Sequence, residues 1–486
     1  MSSLHHVRSR RSRETSPLDS NVSRKATPLP KSQLAAIYAI KILVPIATTQ
    51  IFPYLNVMVE RIKHSDGPFN AYYSGMIASS FPIARLITIY PWARLSDSIG
   101  RKPVILVGTS GIAITSVMFG LSQTFTGVLL TRFLTGIFCG TIGAIHSVVG
   151  ELSDSTNQST AFPLYDICSA LGFVIGPFIG GTFANPATEF PKWFDNTFFV
   201  DYPYFLPCLV TAVLAIIVST LAFFVLDETL PIKRKSKQVS PSDSVESLLP
   251  SPAQDPKPKP LTIPQLLAIP SVRNICLSSI SLDFIATCFN FGFVLVAYSS
   301  PTIGGLGLNP TQIGQTISIM GAISILLKLC MPYLLRRYDN VKLYSTLLCI
   351  WPFVFVSLGL LEALGRHDSI QGVDPGDARG MTGWMKISVG LILLGSRVGC
   401  LAFSIVMILI KESSPNPASL GATNGLAEFG QAISSALGPA IVSSLFALSM
   451  THHVFGGHMW IVVITGVAIA VNWFPGRLRP VDRGEP

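Results

Sequence analysis

Apolar residues occur along this chain in twelve runs of about 20 residues or slightly more, separated by polar segments. An α-helix needs about 20 residues to cross the hydrocarbon core of a bilayer. The pattern therefore predicts an all-α membrane protein with twelve transmembrane helices. The predicted spans are 34–59, 71–92, 103–122, 126–148, 161–184, 204–226, 274–299, 312–335, 343–363, 386–410, 421–448 and 458–475.

Two polar regions interrupt this pattern and define the predicted domains. The first 33 residues are rich in Ser and Arg, and residues 227–270 are crowded with Pro, Ser and Lys, a composition that cannot bury enough apolar surface to fold. The prediction is a disordered tail (1–33), a six-helix bundle (34–226), a linker (227–270), a second six-helix bundle (271–475) and a short tail (476–486). The first apolar run has no small-residue cleavage site, so no signal peptide is expected.

Composition agrees with a lipid environment, because 49% of the 486 residues are hydrophobic and only 13% are charged. Most Lys and Arg residues fall in the two tails, in the linker and in alternate short loops, the distribution that marks cytoplasmic segments. Both termini and the linker are therefore predicted to be cytoplasmic, in the plasma or vacuolar membrane. Topology accounts for the net charge of +9 without nucleic-acid binding. All eight cysteines lie in apolar runs and are interpreted as packing residues.

An internal repeat relates the two bundles. The segment ELSD at Glu151 precedes a Gly-Pro pair at Gly176, and ESSP at Glu412 precedes a second such pair at Gly438, at nearly equal separations. The fifth helix of each bundle also carries a carboxylate eleven residues before the proline of its Gly-Pro pair, Asp166 in the first bundle and Glu428 in the second. Parallel six-helix repeats of this kind build transporters whose substrate site lies between the halves near mid-bilayer.

Several motifs make the chain resemble the major facilitator superfamily. The segment ARLSDSIGRKP, with Asp97, Gly100, Arg101 and Lys102, matches the family's loop after the second helix, although Ala93 stands where glycine is usual. RFLTG, with Arg132, is similar to its fourth-helix arginine motif. GFVIGPFIGG, with Gly176 and Pro177, resembles its motif of proton-coupled exporters, and IFPYLNVMVERI at 51–62 looks most like zinc-induced-facilitator-like proteins of fungi and plants.

The resemblance implies a gate that involves Asp97, Gly100, Arg101, Lys102, Gly176 and Pro177. In it, the loop after the second helix latches one side of the transporter shut. A carboxylate can bind a helix N-terminus and an arginine can pair with an acid, so Asp97 is expected to approach the start of the eleventh helix near Gly421. The partner of Arg101 is expected to be Glu151 or Asp154. The alternative is that Arg101 and Lys102 only set topology.

Ionisable groups inside the spans are the candidates for substrate binding or proton coupling, since each is costly in lipid and should face a cavity or a partner. Asp283, about 14 Å along the seventh predicted span, is the first candidate. Arg132 is expected in proton relay, and Arg397 either binds an anionic group or neutralises an acid such as Asp283. Asp166 and Glu428 follow, with structural pairing between the halves as the alternative. Lys41, Arg85 and Lys328 are expected to snorkel or to pair locally.

These observations predict a secondary transporter that exports a small organic compound in exchange for protons, acting as a monomer without a cofactor. A nutrient uniporter or symporter of the same fold and a membrane receptor without transport are the alternatives. An enzyme is not expected, because the sequence has no nucleophile, metal or phosphate-binding constellation. His452, His453 and His458 near the predicted outer face are not expected to bind metal, because no carboxylate cluster accompanies them in the membrane.

Overall fold

The computed structural model describes residues 30–64, 69–152, 158–229, 261–301, 305–370, 383–415 and 419–473. Almost all of the predicted N-terminal tail, residues 230–260 of the predicted linker and all of the predicted C-terminal tail lie outside these ranges. The last part of the predicted linker is not wholly unfolded as expected, because it contains the helix Ile263–Ala268. The described residues form helices and turns, and no β-strand occurs among them. The predicted all-α membrane fold is confirmed.

Twelve helical segments follow one another along the chain, and α4, α9 and α10 each consist of two consecutive helices. The segments are α1 (Lys31–Thr49), α2 (Asn70–Ile99), α3 (Arg101–Gly120), α4 (Phe125–Cys139 and Ile142–Leu152), α5 (Gln158–Phe183), α6 (Phe205–Val225), α7 (Pro270–Tyr298), α8 (Pro310–Leu329), α9 (Asn340–Leu348 and Ile350–Ile370), α10 (Gly383–Gly399 and Ala402–Ser413), α11 (Leu420–His452) and α12 (Met459–Val471). Shorter helices include Leu55–Lys63, four between residues 186 and 268, and Met331–Arg337.

Ten of these segments are long and apolar enough to cross a membrane. The two other predicted positions are occupied by α2, which has 30 residues, and by α12, an apolar helix of 13 residues. The described helices are therefore consistent with twelve crossings.

Two of the differences between the predicted spans and the observed helices affect residues discussed below. The first apolar run is broken, because α1 ends at Thr49 and a turn at residues 50–54 separates it from the helix Leu55–Lys63. The charged segment 93–103 is almost entirely helical, because α2 continues to Ile99 and α3 begins at Arg101. Gly100 alone forms the corner, with φ of 114°, a backbone conformation that side chains other than glycine rarely adopt.

Because consecutive segments alternate in direction, the ends of all twelve lie at two opposite faces. The tail face holds the start of α1, the α2–α3 corner and the end of α6, and a hydrogen bond from Gln33 to Asp227 (2.6 Å) ties α1 to the chain after α6. The far face holds the end of α1 and the starts of α2 and α8. Helices α1–α6 form one half of the molecule and α7–α12 the other.

The two halves touch in a seam near the far face, where α5 packs on α8. Thr311 donates a hydrogen bond to the Gly181 carbonyl (3.1 Å), and Ser318 donates to the Val174 carbonyl (2.9 Å). A Cβ at Gly314 would lie 2.5 Å from the Pro177 carbonyl oxygen, so glycine permits this approach.

The equivalent contact of the repeat is made by α2 and α11. Ser79 accepts a hydrogen bond (3.0 Å) from the backbone N–H of Ala440, which follows Pro439 in α11. Gly75 also contacts Ser443 and Pro439 closely. Each of the two Gly-Pro pairs related by the repeat, Gly176-Pro177 and Gly438-Pro439, therefore lies in this far-face seam between the halves.

Three glycines of α5, Gly172, Gly176 and Gly180, line another face of that helix, which packs on α1. A Cβ on any of them would collide with Ile42, Thr49 or Gln50, respectively. As their spacing predicts, the glycines lie on one helix face. Helix α5 thus joins α1 within its own half and α8 of the other half.

Candidate transport site between the halves

A cavity between the halves opens toward the tail face. The seam contacts lie near the far face, whereas Gly421 and Gly425 at the tail-face end of α11, and Gly150 at the end of α4, have open space where a Cβ would be. Residues between the halves are therefore reachable from the tail face and closed off from the far face by the seam.

Asp283 lies close to the middle of α7, about 20 Å along the helix from Pro270. The depth predicted from the sequence was smaller, about 14 Å, because the predicted span began at residue 274 whereas α7 begins at Pro270. Its carboxylate accepts a hydrogen bond from Ser435 of α11 (2.8 Å). Arg85 of α2, in the other half, and Glu428 are within electrostatic range of it. The structure therefore gives Asp283 a position at mid-depth between the halves.

Four further charged side chains lie nearer the tail face. Lys41 of α1 is within electrostatic range of Asp166 in its own half and of Glu428 in the other, and Asp166 is in range of Lys328 of α8. Lys41 is only 9% exposed, and its ammonium group lies 4.1 Å from the ring centroid of Tyr165. Lys41 is therefore too buried to snorkel, and among the described residues it packs on the Tyr165 ring without an ion pair of 4.0 Å or less.

Arg132 is 3% exposed and contacts backbone atoms of α1. Its guanidinium donates to the carbonyl groups of Ala47 (3.2 Å) and Thr48 (2.6 Å), and it lies 4.6 Å from the Phe81 ring centroid. These carbonyl groups are left without helical partners because α1 ends at Thr49. Arg132 therefore caps the broken end of α1, in addition to any part in proton transfer that the motif implies.

Arg397 of α10 donates a hydrogen bond to the side-chain oxygen of Asn290 in α7 (2.7 Å). The acceptor is therefore the Asn290 amide and not the Asp283 carboxylate, which lies two helical turns away along α7. The suggested neutralisation of Asp283 by Arg397 is thus not the contact seen, and in the part of the chain that the structure describes no carboxylate lies within 4.0 Å of the Arg397 guanidinium.

The predicted latch residues form a network at the tail face within the first half. Arg101 pairs with Asp97 (2.6 Å) and with Glu151 (3.1 Å), so one of its two expected partners is observed, while Asp154 lies outside the described residues. The Asp97 side chain is 65% exposed, and its ion pair is with Arg101 and not with the start of α11 at Gly421. This arrangement fits a tail face that is open.

Glu228 completes this network, and the sequence reasoning did not identify it. Its carboxylate accepts hydrogen bonds from the backbone N–H groups of Arg101 (2.8 Å) and Lys102 (3.3 Å), the first residues of α3. A carboxylate at a helix N-terminus binds free N–H groups and the positive end of the helix dipole. A Cβ at Gly100 would collide with the same carboxylate. The sequence signal was limited to an acidic pair, Asp227 and Glu228, directly after a long apolar run.

Among the described residues, no group of three or more His, Cys, Asp or Glu side chains is placed to hold a metal ion. His458 at the far face lies 3.5 Å from the buried carboxylate of Glu362, and His452 and His453 are exposed.

Comparison with known proteins decides the family. The model of the Major Facilitator Superfamily matches residues 32–374. The chain belongs to this superfamily. It is therefore a member of a transporter family and an integral, multi-pass membrane protein.

Three individual relatives are similar to this chain over most of its length. The chain is 36% identical to the major facilitator-type transporter psiT2 of Psilocybe cyanescens, over 94% of this chain and 91% of that one. It is 26% identical to the efflux pump azaK of Aspergillus niger (93% and 90% covered) and 26% identical to Protein ZINC INDUCED FACILITATOR 1 of Arabidopsis thaliana (92% and 92%). The predicted resemblance to the superfamily and to its zinc-induced-facilitator group is confirmed.

The fold agrees with solved structures of the superfamily. A crystal structure of a D-xylose-proton symporter superposes with a TM-score of 0.67, at 12% identity, and covers 94% of this chain and 100% of that one. At this identity the likeness shows the fold.

Proposed function

We propose that this transporter exports a small organic compound from the cytosol in exchange for protons. The observation that carries the proposal is the position of Asp283, a carboxylate at mid-depth between the halves whose one side-chain hydrogen bond within the described ranges comes from Ser435. Such a group can take up a proton from one side of the membrane and release it on the other as the halves rock. The similarity to a fungal efflux pump supports the direction of export.

Orientation of the chain in the membrane is part of the proposal. Arg94, Arg101, Lys102, Arg336 and Arg337 lie at the tail face, a concentration of positive charge that is typical of the cytoplasmic side. Both termini would then be cytoplasmic, and the cavity seen here opens to the cytosol, ready to receive an exported compound. The plasma membrane and the vacuolar membrane both fit this orientation.

A pH-reporting dye inside sealed proteoliposomes tests the coupling. A yeast cytosolic metabolite extract is added outside, the lumenal pH is followed, and mass spectrometry identifies the compounds that accumulate. Exchange for protons makes the lumen more alkaline as a compound enters. Symport makes the lumen more acidic, uniport leaves the pH unchanged, and a receptor binds compounds without accumulating them, so each alternative has its own result.

The variant Asp283→Asn assigns the proton step to this carboxyl group. We expect it to abolish the alkalinisation, while Asp195→Asn, a matched change at an exposed far-face residue, retains it. Alkalinisation by Asp283→Asn at the rate of the unmodified protein would contradict the role proposed for Asp283.

A further inference from the structure

Four charges nearer the tail face than Asp283 form an arrangement that the proton step does not use. Lys41 and Asp166 belong to the first half, and Lys328 and Glu428 belong to the second. Each half therefore contributes one positive and one negative side chain. Opposite charges are in electrostatic range across the cavity, Lys41 with Glu428 and Asp166 with Lys328.

These charges do not close on each other in this structure. Among the described residues, no ion pair of 4.0 Å or less joins the two halves, although one such pair joins Arg101 to Glu151 and another joins it to Asp97. Asp166, Lys328 and Glu428 are exposed in the open cavity. Space for a small molecule therefore remains between positive and negative groups on facing walls.

Tyr165 adds a second, independent indication of a ligand. It is 1% exposed, the ammonium group of Lys41 lies over its ring, and its hydroxyl has no hydrogen-bond partner among the described residues. A buried hydroxyl without a partner is costly, and one beside an ammonium group is suited to bind an anionic oxygen. Glu428, opposite, is suited to bind a cationic group.

We propose that Lys41, Tyr165, Asp166, Lys328 and Glu428 form a binding site for a zwitterionic compound, with its anionic group at Lys41 and its cationic group at Glu428. A ligand with a single charge would displace water from both signs of charge but compensate only one of them, and an uncompensated charge is strongly unfavourable. A ligand with both charges compensates both walls. This inference rests on the proposed transport function and specifies its substrate class.

The experiment sorts transported compounds by charge. The yeast extract is offered to proteoliposomes, and the compounds that accumulate are classed as zwitterionic, cationic, anionic or neutral at pH 7 by their retention on cation and anion exchangers. We expect zwitterions to be enriched by about tenfold or more over compounds with one charge, the factor that one charge-assisted hydrogen bond supplies. Transport of neutral or singly charged compounds alone overturns the inference and leaves transport intact. The absence of any transport overturns both.

Two substitutions separate ligand binding from pairing between the halves. Lys41→Met should reduce zwitterion uptake by about tenfold and shift the remaining uptake toward cations, whereas Glu428→Gln should shift it toward anions. Lys192→Met, at an exposed far-face residue, is the control. If the two residues only paired with each other, both variants would slow all compounds equally and the swap Lys41→Glu with Glu428→Lys would restore uptake. That result would also overturn the inference.

Discussion

Gly314 in α8 offers the sharpest test of the far-face seam. The substitution Gly314→Ala adds one methyl group between the halves. That methyl carbon would lie 2.5 Å from the Pro177 carbonyl oxygen and 2.8 Å from the Cα of Gly181, both backbone atoms of the other half. Ordinary contacts of this kind are about 3.5 to 4.0 Å. The helices must therefore separate by about 1 Å for the methyl group to fit.

The energetic effect follows from the cost of overpacking. An extra methyl group in a well-packed contact costs about 1–3 kcal/mol. This cost applies only when the seam is closed, so it lowers the population of that state relative to one with the far face open. A difference of about 1–3 kcal/mol changes the ratio of two states by about 5- to 150-fold. Because alanine favours helix more than glycine does, α8 itself should remain folded.

Distances between spin labels measure this shift. One pair of labels at Lys192→Cys and Lys386→Cys reports on the far face, and both sites are exposed and belong to different halves. The exposed Cys330 and Cys349 are replaced by serine. In Gly314→Ala we expect the far-face distances to lengthen. The control is Gly466→Ala, where an added Cβ has nothing within 4 Å, and it should leave the distances unchanged. Identical distance distributions in the two variants would refute the role given to the seam.

Three further predictions concern the tail face and the end of α1. Asp97→Asn should abolish net transport while the protein still inserts into the membrane, and uptake at the unmodified rate would exclude the latch. Gly100→Ala should lower the unfolding temperature in detergent, because a non-glycine residue at φ of 114° is strained by about 1–3 kcal/mol. Adding Glu228→Ala to that variant should recover only the part of the loss that comes from collision with the Glu228 carboxylate. Arg132→Gln should lower the free energy of unfolding by about 1–3 kcal/mol or more, because the carbonyl groups of Ala47 and Thr48 lose their donors. Arg132→Lys should be intermediate in thermal unfolding, and equal stability of both variants and the unmodified protein would contradict the capping role.

The general architecture could be predicted from the sequence because bilayer thickness fixes the length of apolar runs. The internal repeat could also be predicted, because corresponding motifs of the two halves have nearly equal spacing along the chain. The Gly-Pro pairs and the carboxylates eleven residues before their prolines needed no tertiary information. The pairing of Arg101 with Glu151 was also accessible, since both belong to motifs with expected positions.

The remaining features depend on distances that a linear pattern does not contain. The break at Thr49 lies within a continuous apolar run, where hydropathy gives no signal, and it explains why Arg132 binds backbone carbonyl groups. The sequence alone does not distinguish Lys41 from a snorkelling lysine, because the position of Tyr165 beneath its ammonium group depends on the packing of α5 on α1. Glu228 lies 127 residues from Arg101, so its role at the start of α3 depends on the packing of α3 and α6.

The seam between the halves has a consequence for how the transporter responds to its surroundings. The contacts described at the far face are made by glycines, hydroxyl groups and backbone atoms, which dissolved ions hardly affect. The tail face instead presents the exposed carboxylate of Asp97, paired with the largely buried guanidinium of Arg101, and attraction between charges in contact with water is screened over about 10 Å in about 0.1 M salt. Ionic strength should therefore alter opening and closing at the tail face while the far face remains indifferent, so that one membrane surface senses the electrolyte and the other does not.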